Sequence, residues 1–173
     1  MHCFCRAKLI AFVAVLAWLA VAAVSARADE GTEADARALL TRFLDPAADR
    51  AALTGELQPF TEDYTAAYKE PMATRLEQIY ANLWGTGVAI GPKPGQTELL
   101  VTFATTDQLI AGEPVLAEFP GGYKAVLPHL KPGNAIVRFK FVEPGETIGM
   151  AFDGLIHVNG HWVLIPKPWL AVE

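Results

Sequence analysis

The stretch NAIVRFKFVEPGETIGMAFDGLIHVNGHWVLI, residues 134–165, decides the fold. Three runs rich in β-branched and aromatic residues are divided by two turn signals. Glu143-Pro144-Gly145-Glu146 is the first, and the two-residue hairpin signal Asn159-Gly160 is the second. The spacing predicts antiparallel strands over 134–142, 147–158 and 161–165.

The turns also set registers. Asn159-Gly160 places Val158 opposite His161, His157 opposite Trp162 and Ile156 opposite Val163. A simple four-residue turn places Val142 opposite Thr147, Arg138 opposite Ala151 and Val137 opposite Phe152. Side chains alternate across a strand, so two faces follow. One carries Val137, Phe139, Phe141, Ile148, Met150, Phe152, Ile156, Val158, Val163 and Ile165. This face is nearly pure hydrocarbon and is expected to be core beneath helices, or in part the lining of an apolar ligand pocket.

The other face is mixed. Arg138, Asp153 and His157 share it with Leu155, Trp162 and Leu164. Arg138 and Asp153 fall on a diagonal of neighbouring strands, which suits an ion pair. A solvent face needs none of the three large apolar groups. Either the face is an interface, for a second copy or another protein, or residues 106–133 fold back over it. A bulge at the four-residue turn would swap the assignment upstream of it.

Working outward, residues 98–105 read as a further strand with Leu99, Val101 and Phe103 on one face. Residues 86–90 read as a short strand, and Gly91-Pro92-Lys93-Pro94-Gly95 between the two is a turn or loop. Residues 106–133 are rich in proline and glycine and read as irregular, with one helical turn at 123–127. The earlier part is helical. Thr32 caps a helix in which Ala36, Leu39, Leu40, Phe43 and Leu44 share a face. Asp45-Pro46 ends it, and a short piece follows at 47–53. A third helical region starts near Thr61 and is interrupted at Pro71. Beyond Pro71, Met72, Leu76, Ile79, Tyr80, Leu83 and Trp84 form one apolar stripe, with Gly85 as the C-terminal cap.

The N-terminus carries an export pattern. Arg6 and Lys8 precede the apolar run LIAFVAVLAWLAVAAV, residues 9–24, and Ser25-Ala26-Arg27-Ala28 supplies a small-x-small cleavage site. The run is shorter than the ~20 residues of a spanning helix. Residues 1–28 are therefore expected to be a cleaved signal peptide, and 29–173 a single domain in the periplasm or outside the cell, with no membrane attachment after cleavage. Cys3 and Cys5 both fall in the leader, which leaves the processed domain without a disulfide or a cysteine ligand. Loss of Arg6, Lys8 and Arg27 moves the formal charge from −5 to −8. A net acidic domain is a poor partner for nucleic acid or an anionic membrane.

Familiar chemistry is sparse. Ser25 is the only serine and lies in the leader, so a serine nucleophile is excluded. His157 and His161 point to opposite faces of the hairpin and cannot chelate one ion, and His129 is a lone loop histidine. Asp153 and His157 are ~13 Å apart along an extended strand, too far for a dyad. No catalytic residue, metal or cofactor is expected from these patterns.

Helices first and an antiparallel sheet after them make an α+β plan. N-terminal helices are expected to pack on one face of a curved sheet. The order of elements resembles the cystatin-like α+β folds typified by nuclear transport factor 2, over most of the chain beyond the leader. That resemblance implies helices covering a concave sheet, in a fold that hosts enzymes, carriers and interaction modules alike. The leading expectation is an exported, non-enzymatic domain. It would bind a protein partner, a second copy or a small apolar ligand through Arg138, Asp153, Leu155, His157, Trp162 and Leu164. The alternative is an isomerase, dehydratase or hydrolase with a pocket between helices and sheet. Asp63, Tyr64, Glu77 and Tyr80 are its helical candidates.

Overall fold

The computed structural model describes residues 31–172, so the leader expected over residues 1–28 lies outside the described residues. Among the described residues, six α-helices and four strands follow one another in this order: α1 (Glu33–Thr41), α2 (Arg50–Gly55), α3 (Thr61–Ala67), α4 (Met72–Gly85), β1 (Glu98–Thr105), α5 (Thr106–Ile110), α6 (Tyr123–Val126), β2 (Ala135–Val142), β3 (Gly149–Val158) and β4 (His161–Leu164). Short 3-10 turns fill several connections, among them Pro168–Ala171 near the C-terminus. The fold is α+β. Its antiparallel sheet has the order β1-β2-β3-β4 and does not close.

Local signals explain most boundaries. Thr32 accepts the Asp35 amide while Asp35 reaches back to the Thr32 amide, a reciprocal cap that starts α1. Asn159 and Gly160 both have positive φ, 51° and 81°, the geometry of a type I′ turn whose twist matches the flanking strands. Residues 86–90, read as a strand, form none. Ile90 is instead tied to α2, its amide donating to the buried Thr54 hydroxyl at 3.0 Å.

The sheet is covered on both faces. Alternation sends Val137, Phe139, Phe141, Leu155, Trp162 and Leu164 to one side, where they pack with Ala36, Leu40 and Phe43 of the first helical segment and with Leu53 and Leu57. It sends Ala104, Ile136, Ile156, Val158, Val163 and Ile165 to the other side, against Tyr64, Tyr68, Met72, Leu76, Tyr80, Leu109 and Tyr123. Each fully buried large apolar side chain contributes roughly 1.5–3 kcal/mol, so neither layer is dispensable.

This arrangement corrects the expected faces in two steps. The β2–β3 connection pairs Val142 with Gly149, not Thr147. A slip of two residues preserves which side chains share a face, although it leaves Ile148 in the loop, 85% exposed. The second step does not preserve them. Phe139 pairs with Phe152 but Val137 pairs with Leu155, so Asp153 and Gly154 together oppose the single residue Arg138. This is a β-bulge, and the extra residue inverts the facing of everything after it. Leu155, Trp162 and Leu164 thereby join the Val137 face and become core. Ile156, Val158, Val163 and Ile165 move to the opposite side.

Candidate functional site

The six residues expected to form one contact face are divided by that bulge. Leu155, Trp162 and Leu164 are buried under α1 and α2. His157 is half-buried on the same side, its ring 5.2 Å from that of Trp162. Arg138 and Asp153 project from the opposite side. They are not ion-paired: Arg138 donates to the Glu118 carbonyl, and Asp153 accepts the Lys167 amide at 2.7 Å.

The helical candidates fare differently. Tyr64 and Glu77 meet at a cleft of about 380 Å³ between α3 and α4. Helical spacing builds it. Thr61 and Tyr64 stand one turn apart on α3, and Glu77, Ala81 and Trp84 stand at i, i+4 and i+7 on α4. Phe60, 63% exposed, forms the rim. The cleft therefore has three aromatic side chains and one carboxylate. The Thr61 hydroxyl donates to Glu77 at 2.5 Å, and no cationic side chain pairs with Glu77 among the described residues. The Tyr64 pKa is pushed up to about 12, first by burial and then by the Glu77 and Asp63 carboxylates, while Trp84 acts in the other direction. The Trp84 indole N–H is buried, and its approach to the Tyr64 oxygen falls short of hydrogen-bond geometry. Tyr64 is thus a neutral phenol at every physiological pH.

Asp63 stands beside the cleft but is fully committed. One oxygen accepts the Asn159 side-chain amide at 2.7 Å, and the other accepts the Phe60 backbone amide at 2.8 Å. The His161 Nε2 lies 3.1 Å from that second oxygen. Asp63 therefore clamps the β3–β4 hairpin to the start of α3.

Tyr80 belongs to a second, interior constellation. It donates to the Pro166 carbonyl. Its field is felt, with that of Asp153, by Tyr68 and Tyr123, whose buried hydroxyls lack hydrogen-bond partners among the described residues. The Gly154 amide offsets part of the Tyr123 shift, although it does not reach hydrogen-bond geometry. Burial raises the Asp153 pKa. The Lys167 amide, the Lys167 charge and the Arg138 charge oppose that rise. This cluster lines neither the α3–α4 cleft nor the shallow groove at Arg75, Ile79 and Leu170.

A pattern search could have found part of this. An isolated glycine within a strand pattern marks a bulge, and Gly154 sits at that position. Nothing local marks the meeting of Tyr68, Tyr123 and Asp153, which are far apart in sequence. No family model, no curated protein and no solved structure matches the chain.

Proposed function

We propose that the chain is a binding module whose α3–α4 cleft takes a small molecule with an apolar body and one cationic amine. One observation carries the reading: Glu77 stands among Phe60, Tyr64 and Trp84 with no cationic partner among the described residues. Aromatic faces attract an ammonium through their quadrupole, and a carboxylate adds direct charge pairing. The aromatic walls account for the apolar body. A cleft of this size suits a single-ring ligand better than a polymer. The export pattern at residues 6–28 supports a site of action outside the cytoplasm. The element order, which resembles the nuclear-transport-factor-2-like folds, supports a helix-covered sheet able to carry a ligand. An enzymatic role would call on Tyr64 and Glu77, which line this same cleft, but burial pushes the Tyr64 pKa up to about 12, so its phenol stays protonated and is no base at neutral pH. The binding reading therefore stands first.

Titration calorimetry with an arylalkyl amine, its quaternary ammonium form and the matching carboxylate tests it. Both cations are expected to bind and the carboxylate is not. Glu77→Gln should weaken the cations about tenfold, the effect of ~1.4 kcal/mol, without moving the thermal midpoint. Equal binding of the carboxylate, or an unchanged affinity in Glu77→Gln, would sink the assignment.

A further inference from the structure

The outer edge of β1 is unusual for an open sheet. β1 is the terminal strand and pairs on one side with β2 over all eight of its residues, without a register shift. In an antiparallel ladder, residues alternate between exchanging hydrogen bonds with the neighbour and pointing them away. The phase is fixed at the end of the strand. The Thr106 amide donates to the Asn134 carbonyl at 2.8 Å, and the Thr105 amide turns outward to the Gln108 side chain at 2.9 Å. Counting back by twos, Leu100, Thr102 and Ala104 face β2. Leu99, Val101 and Phe103 present their N–H and C=O groups outward. No backbone partner meets these six groups among the described residues.

Exposed edges are normally blunted by lysine, proline, a bulge or short length. β1 has none of these between Leu99 and Thr105. The side chains of Leu99, Val101 and Phe103 are only half-buried against the α1-side core. Leu100, on the other side of the strand, is 37% exposed. The edge therefore offers both unpaired backbone and an unfinished apolar row.

We infer that this edge is a self-pairing seam, at which two copies of the chain join β1 to β1 antiparallel about a two-fold axis through Val101. Pairing all three outward residues, Leu99, Val101 and Phe103, within the seam sets the register. Val101 meets its own symmetry mate, and Leu99 meets Phe103 in both directions across the axis. All six outward backbone groups are then satisfied. The apolar row is completed by cross-strand pairs of the kind that stabilise sheets. Glu98, the sole charge on the strand, falls opposite Ala104, so no like charges meet. Such a contact is isologous and closes at two copies, giving a continuous eight-stranded sheet. It leaves the α3–α4 cleft out of the seam and does not depend on what that cleft binds.

Sedimentation of the protein purified after expression of the whole 173-residue chain tests the inference. The wild type is expected to be a dimer at ~100 µM, within the weak-to-moderate affinity range. Val101→Lys, which sets two ammonium groups face to face on the axis, should be monomeric. Cross-linking supplies an answer even if that variant fails to fold. Hydrogen-bonded antiparallel partners have Cα atoms ~5.5 Å apart, within disulfide reach. Val101→Cys should oxidise to a linked dimer, whereas Glu98→Cys, about 20 Å from its mate, should not. Wild type oxidised in parallel accounts for Cys3 and Cys5. The seam is wrong if the wild type stays monomeric, or if the dimer survives Val101→Lys. It is equally wrong if Glu98→Cys links as readily as Val101→Cys, or if a different protein is found paired to β1.

Discussion

Asp63 is fully buried, and its contacts join parts of the chain that are 96 to 98 residues apart. Its carboxylate holds the Phe60 amide, the Asn159 side chain and the His161 ring together. Removing it strands a backbone donor and an amide in the interior, at a cost of ~3 kcal/mol. Asp63→Ala should lower the stability in a urea melt by about that amount, with the slope unchanged. A loss below ~1 kcal/mol would mean that water replaces the carboxylate. The sequence made half of this residue legible. An acid in the first turn of α3 is expected to serve the helix start, and Asp63 does reach back to Phe60. The hairpin contact leaves no local trace. Tyr64 and Glu77 could be named as pocket candidates because helical spacing alone puts acid and phenol on α3 and α4. That Tyr80 turns away to Pro166 depends on where the C-terminal segment runs, which no spacing rule supplies.

At the scale of elements, one residue decides which strand face is core. Gly154 has φ +78°, and a Cβ placed there would stand 2.0 Å from the Ile165 carbonyl oxygen. The Ile165 amide donates to the Gly154 carbonyl at 2.8 Å, so the bulge is also where β4 leaves the sheet. Gly160 has φ +81° but open space around its Cβ position. The two glycines therefore separate strain from collision. Gly160→Ala should cost ~1 kcal/mol, the left-handed penalty alone. Gly154→Ala adds a backbone clash and should cost ~3 kcal/mol or more. Equal losses in a denaturant comparison would show that the bulge yields without cost. The strands themselves were readable, because alternation and the Asn159-Gly160 turn are strong local signals. The facing was not, because a single inserted residue inverts it while leaving every run of hydrophobic residues intact. Residues 86–90 misled for a related reason: their apolar side chains suit a strand, but Ile90 packs with α2.

For the molecule as a whole, the four tyrosines report on one layer. Tyr64, Tyr68, Tyr80 and Tyr123 are the chain's full complement, and all four lie in the core cluster under the α3–α4 side of the sheet. Burial is the largest cause of a raised pKa in each. Tyr64 and Tyr80 are pushed up to about 12, and Tyr68 and Tyr123 higher still. A phenol raised in the folded state contributes stability that is complete below the unfolded value near 10. That contribution is lost as pH rises through the folded value. Folded protein should therefore show no phenolate absorbance step at 295 nm near pH 10. The signal should rise together with loss of circular dichroism as the layer opens, whereas urea-unfolded chain titrates near 10. An early step in folded protein, worth one tyrosine of four, would mean that a phenol reaches solvent. Asp153 tunes this onset. Its charge is the second largest cause for Tyr68 and also acts on Tyr80 and Tyr123. Its own pKa is raised by burial, so its contribution is fullest in acid and falls as pH rises through its folded value. Above that value its negative charge disfavours each phenolate. Asp153→Asn removes that charge, keeps an acceptor for the Lys167 amide, and should let the tyrosine layer ionise at lower pH than in the wild type. An unmoved onset would assign the tyrosine shifts to burial alone.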